Sequence, residues 1–124
     1  MIHAVRPDLP VIVSMTFSTA RKGGATLMGN RSADIAAWAD DRDLLAIGAN
    51  CGDLTPLVYA EVLREYRNVT RRPILIQPNA GMPVMDADGN ASYPMEAEEF
   101  ASQMTACREA GASLLGGCCG TNPS

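Results

Sequence analysis

The sequence predicts an α/β protein built from parallel βα units. Three observations carry that expectation. Short apolar runs, several rich in β-branched residues, alternate with amphipathic stretches of helical period. The apolar runs are nearly continuous, as in strands covered on both faces, and lack the in-out alternation of a half-solvated sheet. The strand–helix order repeats along the whole chain, which requires crossover connections of right hand between parallel strands.

The first strand is Val11-Ile12-Val13-Ser14-Met15, directly after Pro10. Ser32 is placed to cap a helix with Ile35, Trp38 and Ala39 on one inward face. Leu44-Leu45-Ala46-Ile47-Gly48 is the second strand. Thr55-Pro56 is a strong start signal, a capping hydroxyl followed by proline in the first helical position. Tyr59, Val62, Leu63 and Tyr66 then form the apolar stripe of that helix. Ile74-Leu75-Ile76-Gln77 is the third strand. A third helix runs from about Met95 to Ala110, with Ala97, Phe100, Ala101, Met104 and Cys107 inward and Gly111 as its stop. Ala112-Ser113-Leu114-Leu115-Gly116 is the last strand. No repeat, low-complexity tract or linker divides the chain.

At 124 residues and 47% hydrophobic, the chain can bury one small core. Its net charge of −4 is mild. No basic patch interleaved with aromatics occurs, so a nucleic-acid partner is not expected. No apolar run approaches a membrane span, and Met1–Arg6 lacks the apolar region of an export signal. A cytoplasmic, reducing setting follows as the expectation, and there the four cysteines stay available as thiols.

Those cysteines carry the most information. Cys118 and Cys119 are adjacent, inside Gly116-Gly117-Cys118-Cys119-Gly120-Thr121-Asn122-Pro123. A disulfide between neighbours is strained. Cys51 lies far upstream in Gly48-Ala49-Asn50-Cys51-Gly52. Both segments are rich in glycine and follow apolar strands, so the three thiols converge on one rim. Three thiolates suit one Zn²⁺ with its fourth tetrahedral position open, the mark of a catalytic zinc. Gly116 and Gly117 let the backbone approach closely, and Gly120 permits an unusual turn. Cys107 shares a helical stripe with Phe100 and Met104 and reads as core packing.

Other segments read as scaffold. Arg21–Asn30 lacks both the P-loop ending and the dinucleotide spacing, and is expected to be a flexible rim loop. Asp40-Asp41-Arg42-Asp43 is expected as a solvated helix end. Asp86-Ala87-Asp88-Gly89-Asn90 has the start of a calcium loop but not its later ligands, and reads as a polar turn. His3, near the N-terminus, is not expected to act as catalyst or ligand.

Gly48-Ala49-Asn50-Cys51, Gln77-Pro78-Asn79-Ala80-Gly81-Met82-Pro83 and the 116–123 segment, in this order and spacing, resemble the homocysteine S-methyltransferase family. The likeness is to its zinc-containing, homocysteine-binding barrel domain, and most to the homocysteine module of the cobalamin-dependent methionine synthases. The glycine-rich stretch from Arg21 to Asn30 resembles a loop of that module. The cysteine pair with its flanks is highly specific, whereas the segment ending in Cys51 alone is weak.

The resemblance runs over nearly all of the chain but matches only the second half of that domain. It implies strands five to eight of a (βα)8 TIM-type barrel. A whole barrel needs about 250 residues. Residues 1–124 are therefore expected to be the C-terminal half of a homocysteine-binding barrel, either a fragment or a chain completed by association with a copy of itself or with the N-terminal half. The resemblance implies a zinc-dependent methyltransferase of methionine biosynthesis, with Zn²⁺ on Cys51, Cys118 and Cys119 and homocysteine sulfur in the open position. Asn79 and Asn50 are implied near the amino-acid end of homocysteine, although each could equally shape its own turn. Relatives take methyl from methylcobalamin, S-methylmethionine or betaine; the flanking residues lean toward cobalamin carried on another domain. Two other readings stay open. One is a non-catalytic zinc module closed by Cys107. The other is an inactive fragment lacking the acidic substrate residues that earlier strands supply.

Overall fold

The computed structural model describes residues 2–18 and 24–123. A helical turn α1 (Ile2–Val5) precedes β1 (Ile12–Met15), α2 (Ser32–Asp40), β2 (Ala46–Cys51), α3 (Pro56–Val69) and β3 (Ile74–Pro78). A hairpin of β4 (Val84–Met85) and β5 (Ala91–Ser92) comes next, then α4 (Ala97–Glu109) and β6 (Leu114–Leu115). Strands β1, β2, β3 and β6 form one parallel sheet in that order. Each crossover between them carries a helix, as the alternating pattern requires.

Helix α3 begins as its sequence dictates. Thr55 is the N-cap, its Oγ1 accepting from Val58 N–H at 3.4 Å, and Pro56 occupies the first turn. Tyr59, Val62, Leu63 and Tyr66 are all buried. They meet Ile47, Ala49, Ile74 and Ile76 of the sheet in a common core. Helix α3 also packs against both α2 and α4, so the three helices cover the sheet face bearing those residues. Phe17 closes one end of the core, edge-on to Tyr66 with ring centroids 6.1 Å apart. Gly111 ends α4 with φ +104°.

Several expectations shift. Near-continuous burial holds for Ala46, Ile47, Gly48 and Ala49 of the central strand β2 but not at the margins. Ile12 is 41% exposed, and Leu114 and Leu115 are each 46% exposed. They lie on edge strands of a sheet with one helical layer against it. The second strand starts two residues later than expected and runs on to Cys51, which is its last residue. Leu44 and Leu45 form the approach, with Leu45 N–H donating to Val11 O at 2.8 Å. The final strand shortens to Leu114–Leu115.

The helix ends and faces also differ. Ser32 is the first helical residue instead of the cap, which is Arg31; Ser32 is buried and its hydroxyl donates to Glu65 on α3. Trp38 turns outward at 44% exposure, under the Arg42 guanidinium 4.1 Å from its ring. On α4, Ala97 and Ala101 are exposed, so its inward stripe narrows to Phe100, Met104 and Cys107.

Asp40 is tied down, accepting from Thr70 Oγ1 at 2.6 Å. The polar turn stands: the Asp86 carboxylate accepts from the Asp88 and Asn90 amides and closes the β4–β5 hairpin. In the rim loop, Arg21, Lys22 and Gly23 lie outside the described residues, as does the side chain of His3. Within the rest of the loop, Ala25 bridges to Ser18 and Arg31. Among the described residues no helix is long and apolar enough to cross a membrane.

Candidate metal centre

The C-terminal ends of β2, β3 and β6 meet at one rim, and each brings part of the site. Cys51 ends β2 with φ +56°, the one non-glycine residue among those described with positive φ. Such a conformation costs roughly 1–3 kcal/mol and must be enforced by its surroundings. Gly52, with φ +70°, is one enforcing element: a Cβ there would fall 2.2 Å from the carbonyl oxygen of Phe17. Tyr59 is another. From the buried face of α3 its hydroxyl donates toward Asn50 O (3.0 Å) and Cys51 O (2.8 Å). Burial raises the Tyr59 phenol well above its ordinary value, which keeps it a donor.

Asn79, one residue past β3, joins the two cysteine segments. Its Nδ2 donates to Gly52 O at 2.8 Å, and its Oδ1 accepts from Cys119 N–H at 3.1 Å. The side chain is buried, 5% exposed. Backbone bonds complete the junction: Cys118 N–H donates to Pro78 O and Ala80 N–H to Cys119 O, both at 2.9 Å. Asn50 looks elsewhere, its Oδ1 accepting from Ser14 Oγ of β1 at 2.5 Å.

The three sulfurs are thereby brought together. Cys51 Sγ lies 4.0 Å from Cys119 Sγ, and Cys118 Sγ lies 3.9 Å from Cys119 Sγ. All three fall within 4.8 Å of one another. A disulfide needs about 2.05 Å. Three sulfurs about 2.3 Å from a tetrahedral zinc stand about 3.8 Å apart, so the spacing fits that ion. Cys51 and Cys118 are half-buried and Cys119 is exposed, which leaves one side of the cluster accessible.

The cluster resists carrying three negative charges unaided. Burial pushes the Cys51 thiol up, but the Gly52 amide and hydrogen bonding with Cys118, Cys119 and Asn79 outweigh it and bring Cys51 below the usual thiol range. Cys118 goes the other way, raised by burial, by hydrogen bonding with Cys119 and by the charge of Cys51. A cation among the sulfurs relieves that repulsion.

Cys107 is not part of this group. It is fully buried on α4, its Sγ donates to Pro56 O at 3.1 Å, and burial pushes its thiol up to about 11. It packs in the core, as its helical stripe implies.

Sequence reasoning missed three contributors. Tyr59 counted only as core, although a tyrosine in an apolar stripe needs a partner for its hydroxyl. Gly52 gave no signal beyond being a glycine. Tyr93, in the irregular segment between β5 and α4, gave none, yet its ring lies against Gly120 beside Cys119.

Comparison with known proteins agrees with the motifs. The sequence profile described as homocysteine S-methyltransferase matches residues 1–124. Methionine synthase of Mycobacterium leprae is 37% identical over 116 residues, covering 93% of this chain and 9% of that protein. Homocysteine S-methyltransferase YbgG of Bacillus subtilis is 34% identical over 118 residues, covering 94% of this chain and 36% of its own length. The crystal structure of the homocysteine methyltransferase MmuM from Escherichia coli, in its oxidized form, has the same fold with a TM-score of 0.69 at 23% identity, covering 98% of this chain and 36% of that one. The chain thus spans about a third of the homocysteine methyltransferases it matches and about a tenth of the methionine synthase.

Proposed function

The chain belongs to the homocysteine S-methyltransferase family, and on that premise we propose that it is part of a zinc-dependent enzyme that moves a methyl group onto homocysteine sulfur to give methionine. The single observation that carries this reading is the three-thiol cluster. Cys51, Cys118 and Cys119 would hold Zn²⁺; their spacing and soft donor set suit it, and no fourth cysteine is at hand to close the site. When bound, zinc acts as a Lewis acid that lets a thiol, ordinarily with a pKa near ~8.5, lose its proton at neutral pH.

The chain's own residues supply the frame. Asn79 fixes the distance between the two cysteine segments. Its remaining N–H and lone pair are what it could offer to the amino-acid end of homocysteine. Asn50, beside Cys51, keeps its amide nitrogen for the same purpose. Tyr59 and Gly52 hold Cys51 turned toward its partners. The exposed side of Cys119 is where substrate approaches.

Residues 1–124 would form the C-terminal half of a (βα)8 barrel in a cytoplasmic protein. The parallel order of the sheet and the half-exposed leucines of β6 support this. The methyl donor, or a cobalamin domain presenting it, lies on another part of the protein or on another molecule. This chain alone would then associate, with a copy of itself or with an N-terminal half, and would be a poor catalyst. Sedimentation combined with a methionine-formation assay tests this. The expected result is an associated species with little turnover, restored when an N-terminal half is supplied with methylcobalamin, S-methylmethionine or betaine. A monodisperse monomer turning over at an ordinary enzymatic rate, about 10 per second, would contradict the half-barrel reading. No methionine from the completed assembly with any donor would contradict the methyltransferase reading.

A further inference from the structure

We propose that Ser14 is a positioning residue: it turns the Asn50 amide so that its NH2 group, with the Gln77 amide beside it, receives the carboxylate of the amino acid whose sulfur sits at the cysteines. The proposal rests on the homocysteine reading above, and its test separates the two.

Strand register is the first support. Ile47, Ala49, Ile74 and Ile76 belong to the core under the helices. Alternation along a strand puts Gly48, Asn50, Leu75 and Gln77 on the opposite face. Ser14 joins them, because it pairs in register with Gly48. Asn50 and Gln77 also stand opposite one another in register. Three polar side chains thus form a row across β1, β2 and β3, on a face whose other residues there are Ile12, Ala46, Gly48 and Leu75. The row lies at the cysteine end of the strands, since Asn50 directly precedes Cys51.

Two glycines make room for this row. A Cβ at Gly48 would fall 3.2 Å from Ser14 Oγ and 2.8 Å from Leu75 O. A Cβ at Gly116 would fall 3.3 Å from Gln77 Cγ and 3.4 Å from its Nε2. The Ser14 hydroxyl therefore sits over Gly48, and the Gln77 amide lies against the segment that leads to Cys118.

The hydrogen bond gives the row its direction. Ser14 Oγ donates to Asn50 Oδ1 at 2.5 Å. With its oxygen engaged by β1, the amide meets a ligand through Nδ2, which is a donor only. Turned over, it would present its oxygen to a carboxylate and repel it. β1, β2, β3 and β6 contain no charged residue, so amide N–H groups are what these strands offer an anion. A carboxylate is the part of an amino acid that takes such donors; an ammonium group needs acceptors instead.

Calorimetric binding of a set of thiols to the zinc-loaded full chain tests the proposal. L-homocysteine carries both charged groups, γ-mercaptobutyrate only the carboxylate, homocysteamine only the ammonium and propanethiol neither. The parent should bind homocysteine and γ-mercaptobutyrate about 10-fold more tightly than propanethiol. Ser14→Ala should lose most of that preference while its zinc content and its affinity for propanethiol hold. Ser14→Thr keeps a hydroxyl and should retain the preference; Gln77→Leu should lose part of it. A parent that binds γ-mercaptobutyrate no better than propanethiol, or less well than homocysteamine, overturns the proposal without need of any variant. So does a Ser14→Ala chain that keeps the carboxylate preference, or one that weakens every thiol alike, as a mere tie between β1 and β2 would. A parent that takes up no zinc, or binds none of these thiols, would instead overturn the homocysteine reading.

Discussion

Alanine at Cys51, Cys118 or Cys119 is expected to strip the chain of stoichiometric zinc, while Cys107→Ala keeps one equivalent. The three sulfurs within 4.8 Å of one another form a single donor set, and none of the three is replaceable by a neighbour. Structural zinc sites with four ligands bind with about 10–16 kcal/mol, so each ligand represents roughly 3 kcal/mol, on the order of 100-fold in affinity. Cys107→Ala removes a buried thiol and its bond to Pro56 O. That should lower stability by about 1 kcal/mol without touching the metal. Metal analysis after dialysis, with denaturant unfolding alongside, checks both halves. Full zinc in Cys51→Ala together with zinc loss in Cys107→Ala would show the ligand assignment to be wrong.

Gly52→Ala is expected to be the most damaging single substitution at the rim. Its new Cβ would sit 2.2 Å from Phe17 O, a backbone atom in the core that cannot swing away. The left-handed backbone at φ +70° adds its own cost. Together these should lower stability by about 3 kcal/mol or more and spread the cysteines. Gly89→Ala is the matched control. It has φ +86° but nothing within 4 Å of an added Cβ, so only the backbone term of about 1 kcal/mol remains. Unfolding midpoints of the two variants should therefore differ widely. Equal losses would mean that the close approach to Phe17 is not what fixes Gly52.

These two expectations differ in how readable they were. The cysteine convergence follows from local signals: apolar runs that end in glycine and cysteine place thiols at strand ends, and parallel strands share one rim. Helix α3 was equally plain, because Thr55, Pro56 and the 59–66 stripe all give the same answer. The bounds of β2 were not, since Leu44 and Leu45 are as apolar as the strand they precede. Trp38, Ala97 and Ala101 have the right spacing for a core face, but a single helical layer leaves their sides of the helices uncovered. The frame of the site was the least legible part. The left-handed turn at Cys51, the Asn79 bridge and the seat of Tyr93 on Gly120 depend on contacts between segments 27 to 40 residues apart.

The most direct test of the central claim is X-ray absorption at the zinc edge of the loaded chain, before and after addition of homocysteine. Three cysteine sulfurs with an open position predict three sulfur ligands at first and a fourth once homocysteine is added, accompanied by proton release. Four sulfurs before addition, unchanged afterwards, would contradict the account.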